Sequence, residues 1–300
     1  MGGLTDAVYE LSKSPPTHDF VNWLVRAERM REYQGAASFN VVIVPGNRKY
    51  SNRDMYYTYD RRTWRITELL MPLARLVPTV ADVSIGKGEQ VLSYLNPGIV
   101  SKPIFKAPDL AKHIIESVMP SNVVTITLRQ SDFELERNSN QDEWKQVAEW
   151  LQENGYCPVF IPDAEADMRG RHLFTGFSEY IAASYNFALR LALWEHAKLN
   201  LMHNSGPMVM ALYSDVPLLC FKMYVPGVPC CAKEHMLASG FSPEHDWSTP
   251  THQKKLFWEE DTAKNIIPVL AEHLNRIGEV GALRSRASGL SQKDSPAPTN

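Results

Sequence analysis

Two polar clusters in this 300-residue sequence each follow an apolar run, and their residue types suit the binding of an anion. The first is Arg129-Gln130-Ser131-Asp132, continuing through Arg137-Asn138-Ser139-Asn140, after the run Val123 to Leu128. The second is His203-Asn204-Ser205-Gly206-Pro207-Met208, after Leu199 to Met202. A guanidinium offers a planar fork of donors that matches a phosphate. Gly206 permits close backbone approach, Ser205 and Asn204 supply hydroxyl and amide contacts, and Pro207 is tolerated in a first helical turn. In an open α/β sheet, ligands sit at the carboxyl ends of the strands. The two clusters therefore read as a clamp for an anionic ligand of the nucleotide diphosphate kind.

Other residues are weighed against plainer roles. Arg137, Asn138 and Asn140 stand just before a helix beginning near Gln141, where free backbone N–H groups suit phosphate, although Asn and Ser there also serve as simple caps. Asp163 closes the run Pro158 to Ile161 and is placed to accept ribose hydroxyls, or is a turn residue after Pro162. Lys222 follows another apolar run and is expected to face the same cleft. In the first half, Gly46, Asn47 and Arg48 end the run Phe39 to Val44. Asp54 and Asp60 follow and are the candidate bases for deprotonating an acceptor hydroxyl. Asn186 and Arg190 read as an ordinary surface set. His196 and His203 lack metal-ligand spacing, and the adjacent pair Cys230-Cys231 lacks a C-x-x-C arrangement, so no metal is expected.

These clusters need elements to position them. Apolar runs predict strands at 39–44, 80–85, 123–128, 158–161, 199–202 and 217–221. Helical spacing predicts helices around 20–27, 61–76, 109–118, 141–154, 177–197, 207–213 and 262–277, with Pro72 bending or ending the second. Strands alternating with helices imply parallel βαβ units. The expected architecture is α/β, with two Rossmann-like domains of which the first is smaller and less regular. The expected boundaries are 1–120 and 121–280, with a disordered tail at 284–300 that is rich in Ser, Ala, Pro and Lys.

Composition limits the partners. Net charge is −3, so no global field draws the chain to nucleic acid. No apolar stretch reaches the ~18 residues of a membrane span, and no leader pattern opens the chain, which reads as cytoplasmic. Four scattered cysteines in so long a chain do not form a disulfide framework.

The run Leu199 to Phe221, with Asn204-Ser-Gly-Pro-Met208, Ala211 and the Pro-led apolar stretch from Val216, resembles the donor-site segment of heptosyltransferase-like GT-B glycosyltransferases. The Arg129 loop is similar to the arginine loop of GT-B fucosyltransferases. Val209 stands where the first pattern has His. The resemblance covers mainly residues 120–275. It implies a nucleotide-sugar donor held by the second domain, metal-independent transfer with no further cofactor, and an acceptor (a glycan, lipid-linked glycan or small molecule) on the first. Two rivals remain: a nucleotide-sugar epimerase of the same fold, which needs no acceptor, and a non-catalytic binding or scaffold protein that keeps the fold.

Overall fold

The computed structural model describes residues 6–45, 59–89, 102–168, 170 and 174–276. Gly46, Asn47, Arg48, Asp54 and the 284–300 tail lie outside the described residues.

Two parallel sheets form the frame. The smaller has the order β1-β2-β3, from β1 (Asp6–Glu10), β2 (Phe39–Val44) and β3 (Val80–Ile85). Helix α1 (Asp19–Tyr33) crosses from β1 to β2 and buries Phe20, Trp23, Leu24 and Ala27, near-helical spacing that turns one face to the core. Before β3 the chain runs through α2 (Tyr59–Arg65), a π-helical turn Ile66–Leu70 and α3 (Met71–Arg75). Pro72, at the start of α3, offers no N–H and crowds the carbonyl a turn back, which accounts for the widened turn ahead of it.

After α4 (Asp109–Val118), the larger sheet is built from β4 (Val123–Thr127), β5 (Cys157–Ile161), β6 (Ser178–Glu179), β7 (Leu199–His203), β8 (Leu218–Phe221) and β9 (Lys254–Leu256). Its order is β6-β5-β4-β7-β8-β9, parallel throughout. β4 and β7 are central and buried along their whole length, hence their largely apolar character; the buried Thr125 hydroxyl donates to Asn200 Oδ1 (2.6 Å). Helix α5 (Gln141–Glu153) covers one face with Trp144, Val147 and Leu151, beside Ile266 and Leu270 of the last helix, 263–276, and the short α6 (Ala164–Asp167) follows β5. A single apolar cluster continues from the small sheet into the large one, joining Trp23 and Ile43 to Trp194, Met210 and Tyr213. The crossing chain is tied down where the backbone N–H of Ile104 donates to Tyr213 O (2.9 Å).

The structure departs from the sequence expectations in three places. No strand was expected before residue 39, yet β1 forms; only Ala7 and Tyr9 of it are buried, too few to mark a strand by composition. No strand was expected after 217–221 either, yet β9 forms there with a buried lysine at its head. The single helix expected over 177–197 is instead β6, α7 (Ala182–Tyr185) and α8 (Phe187–His196). The break comes at Asn186, whose side-chain oxygen accepts from the N–H groups of Ala188 and Leu189 and so starts a new helix. No helix among the described residues is long and apolar enough to cross a membrane.

Candidate active site

A cleft of about 790 Å³ opens between the sheets. From the first half it is lined by Thr17, His18, Asp19 and Asn22 at the start of α1, and by Arg61, Trp64 and Arg65 of α2. From the second half come the carboxyl ends of β4 and β5, the Asn204 to Val209 turn after β7, and Cys230, Cys231 and Met236 beyond β8. Helices α7 and α8 add Ser184, Phe187 and Arg190, and α9 (Gly206–Leu212) meets the cleft with its first turn.

Arg129 follows β4 into the cleft wall, but most of its donors hold its own loop. Its Nη1 donates to Glu134 O (3.0 Å) and Asn138 Oδ1 (2.7 Å), and its Nη2 to Phe133 O. Its backbone N–H goes to Ser139 Oγ. Asn138 closes the loop by accepting from the Ser131 N–H and donating to Ser131 O. Asn138 and Ser139 are thus loop latches, and Asn140 makes no side-chain cap. Two of the five Arg129 N–H groups keep no protein partner among the described residues. Burial, with Arg137 beside it, pushes Arg129 down to about 10, against the pull of Asp163 and Glu134.

Arg137 pairs with Glu134 (2.8 Å). Asp163 lines the cleft at the end of β5, within electrostatic reach of Arg129 and Arg190. Asn204 lines it too, with its amide donating to Met223 O (3.0 Å). Ser205 occupies the N-cap position of α9 without capping it, and its buried Oγ has no partner among the described residues. Gly206 has a steric reason to be glycine: a Cβ there would stand 2.3 Å from His18 Nδ1.

Two expected residues stand elsewhere. Lys222 does not line the cleft; its Nζ lies behind the Arg129 loop, 3.2 Å from Asn138 O and 3.3 Å from Asp261 Oδ1. The nearly sealed Asp261 carboxylate also accepts from the Asn140 N–H and Trp144 Nε1, both at 2.9 Å. Lys222 and Asp261 thereby fasten the loop from below. Asp60 is exposed in α2 and is not part of the cleft lining.

The sequence reading missed part of the lining. Arg190 is not a surface residue but is 3% exposed, its Nε donating to Ala183 O (2.6 Å) and its guanidinium over the Phe187 ring. A lone arginine in the apolar stretch Phe-Ala-Leu-Arg-Leu-Ala-Leu was the available signal. His18 and Asp19 carried none, because the start of α1 meets the cleft only through tertiary packing. Thr17 Oγ1 donates to Asp19 Oδ2 (2.7 Å). His18 is driven down to about 3 by burial and by the charges of Arg190 and Arg65, so its imidazole is neutral. Five cleft residues carry buried polar atoms with no partner among the described residues: His18 Nε2, Asn22 Oδ1, Thr127 Oγ1, Arg137 Nε and Ser205 Oγ.

No family model matches the sequence, and no curated protein matches it. Solved structures do share its fold. A glycosyl transferase family 9 structure from Veillonella parvula aligns over 91% of this chain and 98% of its own, with 10% identity and a TM-score of 0.55. The E. coli ADP-heptose lps heptosyltransferase II aligns over 92% and 98%, with 10% identity and a TM-score of 0.50. The chain therefore has the two-Rossmann-domain GT-B fold of these glycosyltransferases, as the Asn204 to Met208 segment led us to expect.

Proposed function

We propose that this protein transfers a glycosyl group from a nucleotide diphosphate sugar to an acceptor hydroxyl across the cleft. The observation that carries the reading is the set of buried, unpartnered polar atoms in one arginine-lined cleft. Leaving such groups unpaired costs roughly 1–3 kcal/mol each, a cost that a polar ligand removes. The shared fold supports the class of reaction, and the E. coli enzyme of that fold is named for ADP-heptose.

In this reading the second domain holds the donor. Arg129, fixed by its loop, and Arg137 neutralise the diphosphate as the sugar–oxygen bond breaks, and Ser205 and Thr127 hydroxyls contact it. Asn204, Gly206, Pro207 and Met208 shape the turn against it, and Asp163 takes a ribose hydroxyl. Charge neutralisation is thus assigned to arginines. For the base we propose Asp19 in place of Asp60, since Asp19 lines the cleft and its Oδ1 keeps no protein partner among the described residues. It would take the proton of the attacking hydroxyl. Incubating the protein with nucleotide sugars, with and without a mixed glycan acceptor, tests the reading. Acceptor-dependent release of nucleoside diphosphate supports transfer. A sugar altered without any acceptor would replace it with epimerisation, and no turnover in any mixture would favour a binding protein.

A further inference from the structure

Adjacent cysteines line the donor end of the cleft. In the turn Pro229–Cys231 the sulfurs of Cys230 and Cys231 lie 3.9 Å apart, and both residues line the same cleft as Arg137 and Glu134, Cys230 half-buried and Cys231 buried. Each sulfur has a different neighbourhood. Cys231 Sγ accepts from the Asn204 amide (3.5 Å) and from its neighbour's thiol. Cys230 Sγ meets Glu134 Oε2 (3.5 Å) and Arg137 Nη1 (3.4 Å). The Asn204 amide and the Cys230 thiol therefore face Cys231, while the charge of the Glu134 carboxylate beside Cys230 disfavours loss of the one Cys230 proton. Hydrogen bonding from Cys230 brings the Cys231 thiol down to about 7, and Cys230 is raised in return. The other cysteines differ: Cys220 is sealed in β8 with its thiol pushed up by burial, and Cys157 does not line the cleft.

We propose that Cys230 and Cys231 form an oxidisable dithiol, a site of reversible modification by hydroperoxide that loosens the Arg129 loop. The Cys231 thiolate attacks one peroxide oxygen and the O–O bond breaks. Cys231 becomes a sulfenic acid, and the second oxygen leaves as water with a solvent proton. The Cys230 sulfur then attacks the Cys231 sulfur; the S–S bond forms, the S–O bond breaks, and the departing hydroxide takes the Cys230 proton as water. Two thiols lose two electrons and one peroxide gains them. Neighbouring Cα atoms are about 3.8 Å apart, below the usual span of a disulfide, so the bond is strained and readily reduced. That suits a reversible switch rather than a staple. Oxidation removes the Cys230 thiol from Glu134 and pulls the turn away from Arg137, the pair that holds the loop against the cysteines.

The effect on donor binding rests on the proposed function; the oxidation itself does not. Whole protein treated with hydrogen peroxide is digested without reductant and read by mass. A loss of two hydrogens confined to the peptide bearing residues 230 and 231, reversed by a dithiol reductant, supports the proposal. The Cys230→Ser protein should instead trap a sulfenic acid at Cys231 that reacts with a dimedone-type probe. Amide exchange across 131–138 should rise about tenfold or more on oxidation, the effect of losing a charge-assisted hydrogen bond. Bonds to Cys157 or Cys220, bonds between two chains, or no loss of mass would overturn the dithiol. A mapped disulfide with unchanged exchange would overturn the coupling to the loop. If oxidation and loop release both occur while no nucleotide binds in either state, it is the functional reading that fails.

Discussion

The two walls of the cleft are organised differently. On the second-domain side Arg129, Asn138 and Ser131 bond mainly to one another's loop, and the buried Asp261 carboxylate holds that loop from behind. On the first-domain side His18 and Asn22 keep unpartnered atoms, and Asp19 is tied to a single threonine. A loop bonded to itself and held from behind cannot readjust, so the two remaining Arg129 donors and the unpartnered Thr127 Oγ1, Arg137 Nε and Ser205 Oγ keep preset places; this suits a ligand part common to every turnover. The sparsely bonded wall suits the part of the site where a proton must move.

The largest effect should come from Asp261→Ala. It strands the N–H groups of Asn140 and Trp144 and leaves the buried Lys222 ammonium with Asn138 O and only the exposed Glu260 carboxylate, and removing one partner of a buried pair costs about 3–5 kcal/mol. Urea unfolding measures it; a cost near zero would mean that the second wall is not held from behind.

Asp19→Asn sharpens the contrast between the walls. Transfer should slow by roughly 10²–10⁴ with donor affinity unchanged, as for loss of a general base. Steady-state kinetics with separate donor binding decides it, and equal losses in both would place Asp19 on the donor instead.

Gly206→Ala tests the seam where the walls meet. Its Cβ would run into the His18 ring, which is wedged against Phe187, so overpacking should cost about 1–3 kcal/mol. A thermal melt with His18→Ala added should recover part of the loss.

A smaller, graded effect is expected from acid. Burial holds both His203 and His18 below their ordinary value, with Lys222 and Arg137 near the first and Arg190 and Arg65 near the second; Asp261 opposes the shift at His203. Because the folded pKa is depressed, folding favours the neutral rings. Their contribution is complete above pH ~6.5 and is lost as pH falls toward the folded values. Tm should therefore decline steadily below that pH, and less steeply in His203→Gln. Identical slopes in the two proteins would remove His203 from the account.

Much of the second domain was legible in the sequence, because its buried parallel strands are written as apolar runs and its ligand loops follow directly from strand ends. Arg129 and Asn204 to Met208 could be placed on the cleft for that reason. β1 was not legible, since a strand with two buried side chains leaves little trace. Nor was the role of Lys254: a lysine in a loop-like stretch gives no sign that its ammonium is buried on the carbonyls of Ala211, Leu212 and Ser214. The first wall was hidden for a different reason. Asp19 looks like any acidic residue in a first helical turn, and only the packing of α1 against α9 turns it toward the site. Lys222 misled because it ends a strand as Arg129 does, yet its left-handed backbone, with φ of 56°, accompanies a side chain engaged behind the loop.

The most direct measurement is calorimetric titration of nucleoside diphosphates into the protein and into Ser205→Ala. Ser205 Oγ is buried without a partner, so its removal should leave the unliganded protein at least as stable as before. One diphosphate should bind the native protein and bind Ser205→Ala more weakly by roughly 0.5–1.5 kcal/mol, the net worth of a hydrogen bond. Binding of no diphosphate, or equal affinity in both proteins, would contradict the assignment of this cleft to a nucleotide-sugar donor.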